Sequence, residues 1–141
     1  MIDYSKDVAA LTPDDLHGFF QGWPDPPDRR THLALLRGSA EAIVAYDEES
    51  SRVVGFVTAI SDGVLSAYLP LLEVLPDFRG RGIGRELVKR MLERLEHCYM
   101  VDVVCDEGVL PFYEALGLRA GHAAMHRNYA RQSGRNAGGA R

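Results

Sequence analysis

The most regular stretch of the chain is residues 82–97, where Ile83, Leu87, Met91 and Leu95 recur at every fourth position among charged neighbours. That spacing predicts a helix with one buried stripe. Two β-type runs, 40–46 and 52–60, flank the polar turn Asp47-Glu48-Glu49-Ser50-Ser51 and predict an antiparallel hairpin. Residues 66–75 form another apolar run, ended by Pro76, and 98–105 a further one, so that with a short first strand at 2–4 they become the fourth and fifth strands. Thr12 as N-cap, Pro13 behind it and Asp14 and Asp15 in the first turn predict a helix running to residues 20–22. The loop Trp23-Pro24-Asp25-Pro26-Pro27-Asp28 holds three prolines and separates that helix from a second over 28–36, stopped by Gly38. Residues 110–116, stopped by Gly117, read as a short helix, and 123–129 as a last strand. The predicted order is β-α-α-β-β-β-α-β-α-β, one domain over 1–130 followed by a flexible basic tail over 131–141.

Composition narrows the class of protein. With 141 residues, 46% hydrophobic and 26% charged, the chain fits a single domain around one core, not a disordered, collagenous or two-domain protein. Sixteen Lys plus Arg against twenty Asp plus Glu give a net charge of -4, without the basic excess that binding nucleic acid needs. The last eleven residues hold three arginines and no acid, leaving 13 bases against 20 acids in the body. Such a body attracts cationic small molecules, and within it Arg79, Arg81 and Arg85 stand out as a basic cluster. No run approaches the roughly 18 apolar residues of a membrane span, and residues 1–7 lack a basic segment leading into an apolar one, so neither membrane insertion nor secretion by that route is expected. Cys98 and Cys105 are seven positions apart on one predicted strand. They face opposite ways there and cannot bridge, which predicts reduced thiols and a cytoplasmic setting.

The chemistry concentrates in Leu75-Pro76-Asp77-Phe78-Arg79-Gly80-Arg81-Gly82-Ile83-Gly84, which joins the apolar strand to the amphipathic helix. Three alternate glycines bare backbone N–H groups at the positive end of a helix dipole, and two arginines within the turn add charge-assisted donors. The turn therefore suits a phosphate or pyrophosphate. It is not a Walker A loop, which needs Gly-Lys followed by Ser or Thr, nor a dinucleotide fingerprint, which needs a small residue where Arg85 stands.

Spelled Arg79-x-x-Gly82-x-Gly84, the turn resembles the pyrophosphate-binding motif of the GNAT superfamily of acetyl-CoA-dependent N-acetyltransferases, Arg/Gln-x-x-Gly-x-Gly/Ala, and the element order resembles that fold over nearly the whole chain. A second stretch, Asp106-x-x-Val109 followed by Phe112-Tyr113-Glu114-Ala115-Leu116-Gly117-Leu118, is similar to the family's Asn-x-x-Ala and Phe-Tyr region, with Asp106 and Val109 departing from the pattern. The resemblance implies an α+β fold with a central, mostly antiparallel mixed sheet, splayed between the fourth and fifth strands and carrying helices on both faces. It implies that acetyl-CoA lies in the splay, with pantetheine along Leu72, Val74 and Leu75 as an added strand. The pyrophosphate is then expected at Arg79, Gly80, Arg81, Gly82, Ile83, Gly84 and Arg85, with Asp106, Val109 and Phe112 nearby. Tyr113 becomes the general acid for the leaving thiolate, and the Val74 N–H the donor to the thioester carbonyl.

Glu73 interrupts the apolar run Leu69-Pro70-Leu71-Leu72-Glu73-Val74-Leu75. A carboxylate in a central strand is costly unless it is paired or faces a wet cleft. It is either a general base for an ammonium substrate or an acceptor for local hydrogen bonds. Trp23 and Tyr68 are candidates for the acceptor pocket, with Asp14, Asp15, Asp25 and Asp28 lending negative charge at its entrance. Cys105 reads as a buried small hydrophobe before a nucleophile, and Met91 and Met125 as core filler. His122 and His126 sit on a predicted strand with no third ligand, so no metal is expected. The expected activity is acetyl transfer to a primary amine, on a small cation or a peptide. The alternatives are a protein N-terminal or lysine acetyltransferase and an acyl-CoA-binding regulatory module without turnover. Exposed strand edges permit a homodimer.

Overall fold

In the computed structural model, which describes residues 1–135, the sheet is built outward from its longest hairpin. Strands β1 (Ile2–Ser5), β2 (Glu41–Asp47) and β3 (Arg52–Ser61) lie antiparallel in that order. A register shift opposite Ala45 and Tyr46 gives β3 one extra residue, Val54. Alternation along β2 sends Ala42 and Val44 into one core, with Phe56 of β3, and Ile43 and Ala45 into the other, with Val57 and Ala59.

The predicted fourth strand is broken. Its first part, β4 (Ser66–Tyr68), pairs with β3 through Ile60–Tyr68, and its second, β5 (Leu72–Val74), through Phe56–Glu73. The Thr58 N–H donates to Leu71 O at 3.1 Å, so Leu69 and Pro70 together oppose Ala59 alone. That is a β-bulge, seated where Pro70 has no N–H to continue the ladder. Strand β6 (Met100–Asp102) runs parallel to β4, and a last bond, Leu69 N–H to Asp102 O at 2.9 Å, closes their pairing. Beyond it β5 pairs with β3 only, which makes the sheet order β1-β2-β3-β4-β6 with β5 off that path. The expected splay is present, and the mixed, mostly antiparallel sheet with helices on both faces matches the predicted class.

One face carries α2 (Ile83–Arg94), whose stripe Ile83, Leu87, Val88 and Met91 is buried, with Leu95 closing its end. The other carries α1 (Arg29–Gly38), capped by the Asp28 side chain accepting from Thr31 N–H at 2.8 Å. The short α3 (Leu110–Glu114) ends in a turn at Gly117, where φ is 96°. Among the described residues no helix is long and apolar enough to cross a membrane, and both cysteines are free thiols.

Besides the broken fourth strand, three predicted elements differ. The helix after Thr12 is a single 3-10 turn, Pro13–Asp15. Its start signals work, since Thr12 and Asp15 form a capping box, but Gly18, Phe20 and Gly22 all take positive φ and the segment turns to bury Leu16 and Phe20. The fifth strand shrinks to Met100–Asp102. Residues 123–129 join no strand, and Met125, expected in the core, is exposed. Of the predicted tail, 136–141 lie outside the described residues, whereas Ser133 is buried and Gln132 Oε1 accepts the Asp25 N–H at 2.9 Å.

His32 of α1 is buried with its Nε2 unpartnered among the described residues, its ring 4.4 Å from Phe56, 4.9 Å from Phe20 and 5.2 Å from Phe19. Burial pushes the imidazole down from 6.5 to about 4. The unfolded chain protonates this histidine below 6.5 while the folded chain resists to about 4, so its contribution is complete above pH 6.5 and lost as pH falls through that window. We expect His32→Leu to differ from wild type in unfolding free energy by an amount that changes by about 3 kcal/mol between pH 7 and pH 4, read by chemical denaturation. A difference independent of pH would contradict this account.

Candidate active site

The glycine-rich turn closes around two left-handed residues, Gly80 at φ 78° and Gly82 at 82°, the latter being the N-cap of α2. A Cβ at either would meet nothing within 4 Å, so glycine is required there by backbone conformation and not by crowding. The turn after Arg79 leaves a row of donors. Among the described residues no acceptor faces the backbone N–H of Gly80, Arg81, Gly82, Ile83, Gly84 or Arg85, and the helix ladder begins with Glu86 N–H to Gly82 O at 3.0 Å. The arginines are held back on the loop. Arg79 Nε donates to Val74 O at 2.9 Å, and Arg81 Nη2 to Asp77 O at 3.1 Å with its guanidinium 4.8 Å over the Phe78 ring.

Strand β5 presents a free edge beside this turn. Leu71 O and Leu75 N–H bond to β3, so the antiparallel alternation turns the backbone groups of Leu72 and Val74 the other way, toward the splay. Val74 O is already taken by Arg79; the Val74 N–H and both groups of Leu72 remain. Gly84 brings the parts together, because a Cβ there would lie 3.7 Å from Val74 Cγ2 and 3.8 Å from the Phe112 ring. Strand edge, helix N-terminus and α3 thus meet at one point. Next to Phe112, with rings 5.0 Å apart edge to face, Tyr113 is buried. Burial first, and the neighbouring Cys105 second, push its phenol up to about 12. It stays protonated at every physiological pH.

Glu73 does not sit free in the strand. Its Oε1 accepts the Phe20 N–H at 2.8 Å and its Oε2 the Gln21 N–H at 3.2 Å. The carboxylate latches the segment 18–23, including Phe20 at φ 62°, onto β5. Beside it opens a cavity of about 290 Å³ lined by Phe20, Gln21, Trp23, Phe56, Pro70, Leu71, Leu72, Glu73 and Arg79. Of the predicted acceptor residues Trp23 lines it and packs 5.0 Å from Phe20, whereas Tyr68 lies in β4 between Ile60 and Asp102 and is not in its wall. Asp106 precedes an exposed turn (Glu107–Val109) that Val109 ends, and neither is in the cavity's lining. The acids expected to charge the entrance serve locally: Asp15 caps a turn and Asp28 the helix α1, Asp14 lies 3.6 Å from Arg29, and Asp25 3.4 Å from Arg135. Phe20, Gln21, Phe56, Pro70 and Leu71 were not singled out by sequence. The one signal for them was Pro70 inside an apolar strand.

The profile described as the acetyltransferase (GNAT) family matches residues 8–118. The chain is 31% identical over 116 residues to "GCN5-related N-acetyltransferase 1, chloroplastic" of Arabidopsis thaliana, covering 79% of this chain and 58% of that protein. It is 27% identical over 99 residues to an uncharacterized N-acetyltransferase of Porphyra purpurea, covering 68% and 57%. It therefore spans somewhat over half the length of these relatives. A crystal structure of a protein assigned as an acetyltransferase from Deinococcus radiodurans R1 superposes with a TM-score of 0.90 at 43% identity, covering 94% of this chain and 92% of that one.

The Glu73 latch makes its own prediction. Glu73→Ala leaves two N–H groups without acceptors on a segment held at a strained φ, and is expected to cost about 2 kcal/mol in chemical denaturation and to open residues 18–23 to limited proteolysis. Wild-type stability and resistance would show that the segment holds itself.

Proposed function

The chain belongs to the GNAT acetyltransferase family, and from that premise we propose that it transfers an acetyl group from acetyl-CoA to a primary amine by direct attack in a ternary complex. The observation that carries this reading is the row of unbonded N–H groups from Gly80 to Arg85 at the start of α2. Such a row, at a helix N-terminus, fits the oxygens of a pyrophosphate, and the guanidinium groups of Arg81 and Arg85 can add charge-assisted bonds. Leu72 and the Val74 C=O, once Arg79 releases it, would pair with the amides of an extended arm laid along β5, which leaves the Val74 N–H for the reacting carbonyl.

Acetyl-CoA supplies an activated thioester. Val74 donates its N–H to the developing negative oxygen. Tyr113, protonated because of its burial, gives its proton to the departing sulfur. Glu73, at the wall of the aromatic cavity, attracts the ammonium and takes its proton, directly or through water. A carboxylate offers about four acceptor positions, and the latch to Phe20 and Gln21 uses two of them. The cavity sets Phe20, Trp23, Phe56, Pro70 and Leu71 around one carboxylate, Glu73, and one guanidinium, Arg79, which favours a small amine with an apolar body, ahead of an acceptor carrying several positive charges. No metal takes part in this scheme. The free thiols fit a reducing compartment such as the cytoplasm.

A second reading, an acyl-CoA-binding regulatory module without turnover, draws on the same latch: a Glu73 spent wholly on the loop leaves no base in the cavity. Calorimetric titration with acetyl-CoA, followed by thiol release against a panel of amines, separates the two. Binding with turnover supports the enzyme, binding without it the module, and no binding removes both.

Two variants refine the test. Arg79→Ala with Arg81→Ala is expected to weaken acetyl-CoA binding about a hundredfold or more, at about 1.5 to 3 kcal/mol for each charged hydrogen bond, and unchanged affinity would move the phosphates elsewhere. Tyr113→Phe is expected to lower turnover about a hundredfold or more while binding stays near wild type. With the phenol at about 12, Tyr113 contributes no alkaline limb to the pH–rate profile between pH 6 and pH 10. An alkaline limb that Tyr113→Phe abolishes would contradict this assignment.

A further inference from the structure

The cavity beside β5 has two charged residues in its lining, Glu73 and Arg79. The rest of the lining is apolar or aromatic apart from Gln21, whose amide donates to Gly18 O. Among the described residues no ion pair joins the acid to the base. Each is turned instead to the backbone: Glu73 accepts the Phe20 and Gln21 N–H groups, and Arg79 spends Nε on Val74 O. A carboxylate offers about four acceptor positions and a guanidinium about five donors. Part of the first set, and both Nη groups of Arg79, have no partner among the described residues.

The two charges are neighbours on the wall. Val74 O, which Arg79 holds at 2.9 Å, belongs to the residue directly after Glu73. Glu73 itself stands opposite Phe56 in the β3–β5 register, and the Phe20 ring lies between those of Phe56, at 6.1 Å, and Trp23, at 5.0 Å. The cavity thus has one charged corner, holding an acid and a base, and an apolar body. At about 290 Å³ it lies just below the usual span of ligand sites, roughly 300–1,000 Å³, and suits one small molecule ahead of a peptide chain.

Charge decides what that molecule carries. A monoamine satisfies Glu73 but sets its ammonium beside the Arg79 cation, a like-charge contact that costs affinity. A ligand with an ammonium and a carboxylate pairs each with its opposite and leaves the occupied cavity with no net charge. Because acid and base are adjacent, the ligand's two charges must be adjacent as well. We propose that the acceptor is a free α-amino acid with an apolar side chain: Glu73 receives its ammonium, Arg79 its carboxylate, and Phe20, Trp23, Phe56, Pro70 and Leu71 its side chain. The proposal rests on the acetyl-transfer reading and names the substrate class of that site. Arg79 can serve the phosphate turn as well, since one edge of its planar fork is enough for a carboxylate. The ammonium gives a proton to Glu73, and its nitrogen forms the C–N bond to the acetyl carbon as the C–S bond breaks and the sulfur takes the Tyr113 proton. The nitrogen's surplus proton returns to Tyr113 through water and Glu73 releases its own, so the products are an N-acetyl amino acid, the CoA thiol and one proton.

The test is thiol release by the full chain at saturating acetyl-CoA, with acceptors matched in side chain and differing in the carboxylate. Leucine is set against leucinamide and isoamylamine, phenylalanine against phenylalaninamide and phenethylamine, and both against lysine and glutamate. The amino acids are expected to exceed their amides and amines in kcat/KM by about tenfold or more, the worth of one charge-assisted hydrogen bond, and to exceed lysine and glutamate. Arg79→Gln, which keeps a donor for Val74 O, is expected to bring the amino acids down to the level of their amines, whereas Arg79→Lys keeps the charge and part of the preference. These ratios cancel any effect of the variants on cofactor affinity. Amides or amines used as well as the amino acids overturn the proposal and leave acetyl transfer to amines standing. A preference that survives Arg79→Gln overturns it as well, as does a preference for lysine or glutamate. So does acetyl-CoA binding without turnover of leucine or phenylalanine, and thiol release with the wider amine panel then decides the acetyl-transfer reading separately.

Discussion

The architecture turns on a missing hydrogen-bond donor. Pro70 has no N–H, and it stands where the chain, having paired with both β3 and β6 through β4, would have to keep serving two neighbours. With that donor absent and one extra residue in the bulge opposite Ala59, the strand keeps β3 and releases β6. Three features follow. The backbone groups of Leu72 and Val74 point into open space, the cavity gains Pro70 and Leu71 as a wall, and β6 is left with a ladder of only three residues. A continuous strand over 66–75 would have been the stabler sheet, and it would have closed the opening.

The opening has to be held from both faces of the sheet. On one face the packing of Ile83, Leu87 and Met91 fixes where α2 begins, and so where the N–H row from Gly80 to Arg85 stands relative to β5. On the other face β5 is met by the segment 18–23, with Phe20 at positive φ. Glu73 compensates by taking two N–H groups of that segment. One side chain therefore holds the cavity's aromatic wall in place and supplies its negative charge. The two roles are compatible because a carboxylate accepts more hydrogen bonds than the latch uses.

What the sequence made legible is what local chemistry decides. The β2–β3 hairpin, the α2 stripe and the Asp28 cap of α1 depend on neighbours in the chain, and the turn Arg79 to Gly84 could be read because left-handed backbone requires glycine. The failures occur where tertiary demands override local signals. Thr12, Pro13 and Asp15 start a helix correctly, but burying Leu16 and Phe20 against Phe56 bends the chain out of it. The break in 66–75 was signalled by Pro70 alone, within a run whose hydrophobicity reads as one strand. The latch was invisible, since nothing in the spacing of Glu73 and Phe20, 53 positions apart, tells that they meet.

The last strand is a failure of another kind. Its local signal is a strand signal, and the structure gives it no ladder within the described chain. Where a sequence's local preference and its fold disagree, either the preference is weak or its partner lies outside the chain. Residues 119–131 are all exposed, and among the described residues no ladder draws them into the sheet between the bond from Leu118 to Tyr113 and the buried Ser133. Shortening the β4–β6 ladder at Pro70 opens the cleft beside β5 and leaves β6 as a thin margin, so the break that makes the site also costs the sheet part of its edge.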